Sequence, residues 1–111
     1  MTVVRTFKRS KYNNVRTEAD GIVFDSKAEA RRYGELKLLA QANEIMGFAR
    51  QPSFILPGEP PIRYIPDFLV CGIDGKIWVE DVKGMETPAF KLKKKLWNEC
   101  YKWLELRIIK Y

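Results

Sequence analysis

The sequence predicts an α/β domain with an open mixed sheet flanked by helices. Two observations carry that expectation. Segments with helical spacing of apolar residues alternate with short runs rich in β-branched and aromatic residues, in the order helix, three strands, helix, strand. Most boundaries between these segments carry cap or turn chemistry of their own. The 111 residues suit one domain, and at 46% hydrophobic the chain is too apolar to be disordered.

The elements follow in order. Residues 1–20 hold Arg5, Lys8, Arg9, Lys11 and Arg16 with no acid before Glu18, and read as an extended basic arm. Residues 21–111 form the domain proper. Asp20-Gly21 is a turn before the short strand Ile22-Val23-Phe24. Ser26, with Glu29 three residues on, gives a capping box and starts a helix running to about Ala42. Ala30, Tyr33, Leu36, Leu39 and Ala40 make its buried stripe, and Asn43 suits its C-terminal end. Residues 45–56 read as a strand interrupted at Gln51-Pro52, which suggests an edge position or a bulge. After the loop at 57–61, residues 62–71 and 76–83 read as two more strands around the Asp74-Gly75 turn. Gly84 to Pro88 breaks the chain. Thr87 caps a helix with Pro88 at its first position, expected to reach about Trp103. Phe90, Leu92, Leu96, Trp97, Cys100 and Tyr101 are expected to face mostly inward. Residues 104–111 close the chain as a strand.

Absences narrow the chemistry. No His is present, which removes His-based zinc sites and imidazole bases. The two cysteines, Cys71 and Cys100, are too few for a four-thiolate site or a disulfide framework, and read as free, buried thiols in a reducing compartment. Catalysis would therefore fall to carboxylates, lysines or a metal held by carboxylates. The net charge of +6 favours an anionic partner, nucleic acid first. No apolar run is long enough for a membrane span, and the N-terminus does not read as a secretory signal, so a cytoplasmic location is expected.

Pro66-Asp67, Glu80-Asp81-Val82-Lys83 and Glu29 stand out. Strand alternation puts Asp81 and Lys83 on one face and Glu80 on the other, as an ion-pair partner. A two-residue loop at Asp74-Gly75 would set Asp67 opposite Val82. A three-residue loop, Ile73-Asp74-Gly75 with Gly75 left-handed, sets Asp67 opposite Asp81 with Cβ atoms about 4.5–5.5 Å apart. We expect the second register, since two facing carboxylates need a cation between them. Glu29 falls on the helix stripe with Tyr33, Leu36 and Ala40, where an acid is costly without a cation. Three carboxylates and one ammonium leave a charge of about −2, which one Mg²⁺ would neutralise; oxygen donors suit Mg²⁺ or Mn²⁺.

At these residues the chain resembles the PD-(D/E)XK nuclease superfamily, with its restriction-endonuclease-like αβββαβ core. The matching residues are Pro66-Asp67, a thirteen-residue gap, Asp81-Val82-Lys83, and the upstream Glu29. Lys11-Tyr12-Asn13-Asn14, the segment from Asp20 to Ser26, Glu29-Ala30-Arg31-Arg32-Tyr33 and Asp81-Val82-Lys83-Gly84 resemble a family of small phage and prophage proteins. The layout is also similar to phage Holliday-junction endonucleases and to the nuclease subunit of some transposases. The resemblance implies that Glu29, Asp67, Asp81 and the Val82 carbonyl hold one or two Mg²⁺ ions, and that Lys83 orients or helps deprotonate the attacking water. It also implies that Gln51 approaches the scissile phosphate.

Arg9, Lys11, Arg32, Lys91, Lys93, Lys94 and Lys95 are the expected phosphate contacts, and Trp78, Trp97 and Trp103 are expected in the core. The expectation is a Mg²⁺-dependent, structure-selective DNA endonuclease of phage DNA metabolism, acting as a homodimer if it resolves junctions. The alternatives are a nicking or flap nuclease, a non-catalytic DNA-binding module, or a basic adaptor for another protein.

Overall fold

The structure is a computed structural model that describes residues 15–111 in full and residues 4–9 through their backbone. Eleven elements are described. β1 (Val4–Arg9), β2 (Val15–Ala19) and β3 (Ile22–Phe24) form an antiparallel meander. Asp20 and Gly21, both at positive φ, turn β2 into β3. The segment expected as a basic arm is thus largely strand. From Val15 on it belongs to the domain, because Thr17 and Ala19 are buried.

α1 (Lys27–Gln41) follows. Ser26 Oγ accepts from the Glu29 N–H, as the capping pattern requires. At the other end the Asn43 N–H reaches the Ala40 carbonyl and the Glu44 N–H reaches that of Leu39. With Asn43 left-handed at φ 59°, this is a Schellman close.

The central sheet has the order β4 (Ile45–Arg50), β7 (Phe68–Gly72), β8 (Ile77–Val82), β9 (Glu105–Ile109). β4, β7 and β8 are antiparallel neighbours and β9 runs parallel to β8, so the expected mixed sheet is present. The link between the two parallel strands is α2 (Pro88–Cys100), capped by Thr87 Oγ1 with Pro88 in its first turn. The two helices serve different clusters. Ala30 and Leu36 of α1 pack with Phe68, Val70 and Val82, together with Ala19 and Phe24 of the meander. Phe90 and Trp97 of α2 pack with Val79, Leu56, Tyr64 and Leu104. Since Phe68 and Val70 alternate with Leu69 along β7, these are the opposite faces of the sheet.

Two expected strands are each divided. Residues 45–56 split into β4 and β5 (Phe54–Leu56), and residues 62–71 split into β6 (Ile62–Tyr64) and β7. The breaks fall at Gln51-Pro52, where Gln51 has φ 52°, and at Ile65-Pro66. Proline has no N–H for the ladder, so at both points the chain leaves the sheet. β5 and β6 then pair with each other as a small ribbon on the α2 side. α2 ends at Cys100, three residues before the expected Trp103. Leu92 and Cys100 are exposed rather than inward, and Cys71 is half-buried. Trp97 is in the core, but Trp103 is 71% exposed, because it lies beyond the helix on the connection to β9.

Glu80 on β8 is fully buried on the α1 face. Arg32 grips it with two hydrogen bonds of 2.7 Å, and Trp78 Nε1 donates a third of 2.9 Å. This satisfies the expectation of an ion pair for Glu80. It also removes Arg32 from the expected phosphate contacts, since the guanidinium is occupied by Glu80 and Glu35. Arg32→Leu leaves a buried, unpaired carboxylate and should destabilise the fold by about 3 kcal/mol in urea denaturation. Adding Glu80→Leu to it should recover most of that loss, whereas two independent losses would show that the pair is not coupled.

Candidate functional site

The turn between β7 and β8 sets the geometry of the acids. Gly72 N–H bonds the Lys76 carbonyl, Gly75 N–H bonds the Gly72 carbonyl, and Gly75 has φ +86°. This is the three-residue loop with its last residue left-handed. Phe68 pairs with Glu80 and Leu69 with Val79, so Asp67, one residue further out, stands opposite Asp81.

The two carboxyls are engaged at close quarters. Asp67 Oδ2 accepts the Val82 N–H at 2.7 Å, and its main-chain carbonyl accepts the Gln51 N–H at 2.9 Å. Asp81 is only 4% exposed. Its Oδ2 accepts a short hydrogen bond from the Tyr64 hydroxyl, and its Oδ1 lies 3.4 Å from Lys83 Nζ. Burial, and then the neighbouring charges of Glu29 and Asp81, push the Asp67 carboxyl well above the carboxylate range. The Val82 N–H pulls the other way, but burial and the two neighbouring acids outweigh it.

Glu29 joins them from the first turn of α1. Burial, and then the charges of Asp25 and Asp81, raise its carboxyl to about 7, while Lys83 pulls it back. The capping residue therefore also belongs to the acidic group. Lys83 sits half-exposed at the end of β8, with Nζ 4.5 Å from the centre of the Phe90 ring. Its N–H bonds the Ile109 carbonyl and extends the parallel pairing by one residue.

Asp81 and Lys83 line an open cleft of about 340 Å³, together with Arg63, Tyr64, Phe90 and Lys93. Glu29 and Asp67 stand outside its wall. Gln51 is exposed, opposite Asp67 at the end of β4. Lys93 lies over the Tyr64 ring. Lys91 and Lys95 are exposed on α2. Lys94 is drawn to Glu86, whose carboxyl Lys94 and Lys110 hold down at about 2. Lys11 and the side chain of Arg9 lie outside the described residues. Tyr64 and Arg63 were not expected from the sequence. Alternation within β6 was the available signal: Ile62 and Tyr64 turn inward, and Arg63 turns out to the cleft.

The donor set is of the type that suits a hard divalent cation: three carboxyls, two of them with proton affinity raised first by burial and then by neighbouring acids. Yet among the described residues no three acidic side chains close around one point at ligand distance. The acids are neighbours rather than a finished ligand shell. The Tyr64 hydroxyl and Lys83 occupy the positions nearest Asp81.

The chain belongs to the family described as protein of unknown function (DUF1064), whose model matches residues 9–111. No curated protein and no solved structure is matched by the chain. No helix among the described residues is long and apolar enough to cross a membrane.

The raised Glu29 carboxyl has a consequence for stability. The unfolded chain ionises this group near 4.5, whereas the folded protein holds the proton until about 7. The stability from this group is complete below pH 4.5 and is lost as the pH rises toward 7. In a chelating buffer, the melting temperature should fall between pH 5 and 8, and Glu29→Gln should make that fall shallower. Equal slopes for the two proteins would show that Glu29 is not held in this environment.

Proposed function

We propose that this member of the DUF1064 family is a metal-dependent DNA endonuclease of the PD-(D/E)XK type, built on a restriction-endonuclease-like core. The observation that carries the reading is the pairing of Asp67 with Asp81 across the β7–β8 ladder, with Lys83 3.4 Å from Asp81 and Glu29 alongside. Hydrophobic packing alone does not account for two facing carboxyls at a strand end. A cation held between them does.

Glu29, Asp67, Asp81 and the Val82 carbonyl would hold Mg²⁺ or Mn²⁺. Bound there, the ion would lower the pKa of water and neutralise charge growing on the phosphate. The remaining work falls to the chain. Tyr64 fixes the Asp81 carboxylate by its hydroxyl. Lys83 Nζ, beside that carboxylate, orients the attacking water. Water adds to phosphorus as the ester P–O bond breaks, and the departing sugar oxygen takes a proton. Arg63 and Lys93 face the same cleft and meet the phosphodiester oxygens. Lys91 and Lys95 extend the phosphate contacts along α2, and Gln51 stands at the site's edge.

Such contacts read phosphate and carry no sequence information, which favours a structure-selective nuclease, resolvase-like in phage DNA metabolism and acting as a homodimer in the cytoplasm. One observation favours a second reading, a non-catalytic DNA-binding module: the acids do not close around a point.

Asp81→Asn separates the two. With Mg²⁺ or Mn²⁺ and a panel of linear, nicked, flap and four-way-junction DNA, the wild-type protein should cut at least one form. The variant should lose that activity by about a hundredfold or more and keep salt-dependent binding. A wild type that binds DNA and cuts no form would leave the binding module standing and end the nuclease reading.

A further inference from the structure

We infer that the surface where α2 hands over to β9 is a second nucleic-acid contact, a stacking platform for an unpaired DNA strand, at the opposite end of α2 from the carboxyls. The inference rests on the reading of this protein as one that handles DNA, and adds to it the form of DNA that is held.

Trp103 carries the argument. A 71% exposed indole on a small domain leaves a large apolar face in water. The ring is firmly backed. Trp97, in the core, stacks on Tyr101 at 4.5 Å and 24°, and the Tyr101 and Trp103 ring centres are 6.1 Å apart. The Tyr101 hydroxyl donates to the Ile55 carbonyl and anchors this ladder to the β5–β6 ribbon. Trp103 is thus the outermost step of an aromatic series rooted in the core.

Cations surround it. Trp103 borders an open depression of about 600 Å³ that is also lined by Lys76, Lys102 and Arg107. The Arg107 guanidinium lies 3.9 Å above the Trp78 ring and pairs at 3.0 Å with Glu105, the one acid on this wall. Among the described residues no carboxylate forms a salt bridge with Lys76 or Lys102. An exposed aromatic ring beside uncompensated cations is the pairing that single strands use: bases stack and phosphates meet ammonium groups. A protein partner docking on Trp103 would instead need acids of its own or leave these lysines desolvated.

Lys91, Lys95 and Asn98 fall on one exposed face of α2, at helical spacing, and Lys102 follows just past the helix end. The helix spans about 20 Å, roughly six base steps at 3.4 Å each. A duplex held at the carboxyl end could therefore pass its frayed or displaced strand along α2 to Trp103.

The test uses the full chain in a chelating buffer, so that no cleavage intervenes. Short oligothymidylate should quench the tryptophan fluorescence saturably, with reversal by added salt. Trp103→Ala, at an exposed position, should leave the circular dichroism unchanged and weaken binding of a labelled oligothymidylate about tenfold or more by anisotropy. Lys102→Glu should weaken it as well. Unchanged affinity in Trp103→Ala, or no binding of the single strand by the wild type, overturns the platform. Asp81→Asn should quench as the wild type does. Quenching here, with no form of DNA cut in the separate Mg²⁺ or Mn²⁺ panel, keeps the platform and removes the nuclease; cleavage in that panel without quenching here does the reverse.

Discussion

The register of one hairpin governs this molecule. Gly75 in the left-handed conformation allows a three-residue loop, and that loop sets every pair along β7 and β8. Shifted by a single residue, the same strands would place Asp67 against Val82 and reverse which side chains meet which face. As built, Phe68 and Val70 meet α1 while Val79 meets α2, and the two acids face each other where the ladder ends. The apolar pattern and the acidic pair thus depend on one turn.

Adjacent residues of β8 deal with burial differently. Glu80 points to the α1 face and is neutralised within the fold by Arg32 and Trp78. Its needs are met, and it has no exposed edge to offer a ligand. Asp81 points to the α2 face and opens on a cleft, with Tyr64 and Lys83 holding it beside the Asp67 carboxyl. Alternation along a single strand separates a carboxylate neutralised within the fold from one that borders open space.

α2 ties distant parts of the surface together. Its capped N-terminus lies beside the cleft, its buried face closes the second core cluster, and its exposed lysines run toward the aromatic ladder at its far end. The prolines matter here. By breaking the chain at Pro52 and Pro66, they free β5 and β6 to form the ribbon that supplies Tyr64 and Arg63 to the cleft and the Ile55 carbonyl to Tyr101.

Much was legible before any coordinates. Ser26, Thr87, Asn43 and Gly75 mark caps and turns through local chemistry, so the helix starts, one helix end and the hairpin could be read from a few residues each, whereas the turn alone allowed two registers and the facing acids were the reason to expect one of them. Alternation along β8 was enough to separate Glu80 from Asp81. The division of the long strands was only half legible: proline marked where pairing stops, but not that the freed pieces would pair with each other. Arg32 and Trp103 were misjudged because a side chain's partner depends on what lies across the core, forty-eight residues away for Arg32 and Glu80. The sequence by itself determined the two helices, the short strand before them and the order of the central strands, since each is settled by interactions over a few residues or by one turn, and it narrowed Asp67 to two positions, opposite Asp81 or opposite Val82. Only the tertiary structure decided that Glu29 comes near that pair, that Tyr64 holds Asp81, and that the acids stop short of closing on a point, because those contacts arise from packing between elements that local spacing does not constrain.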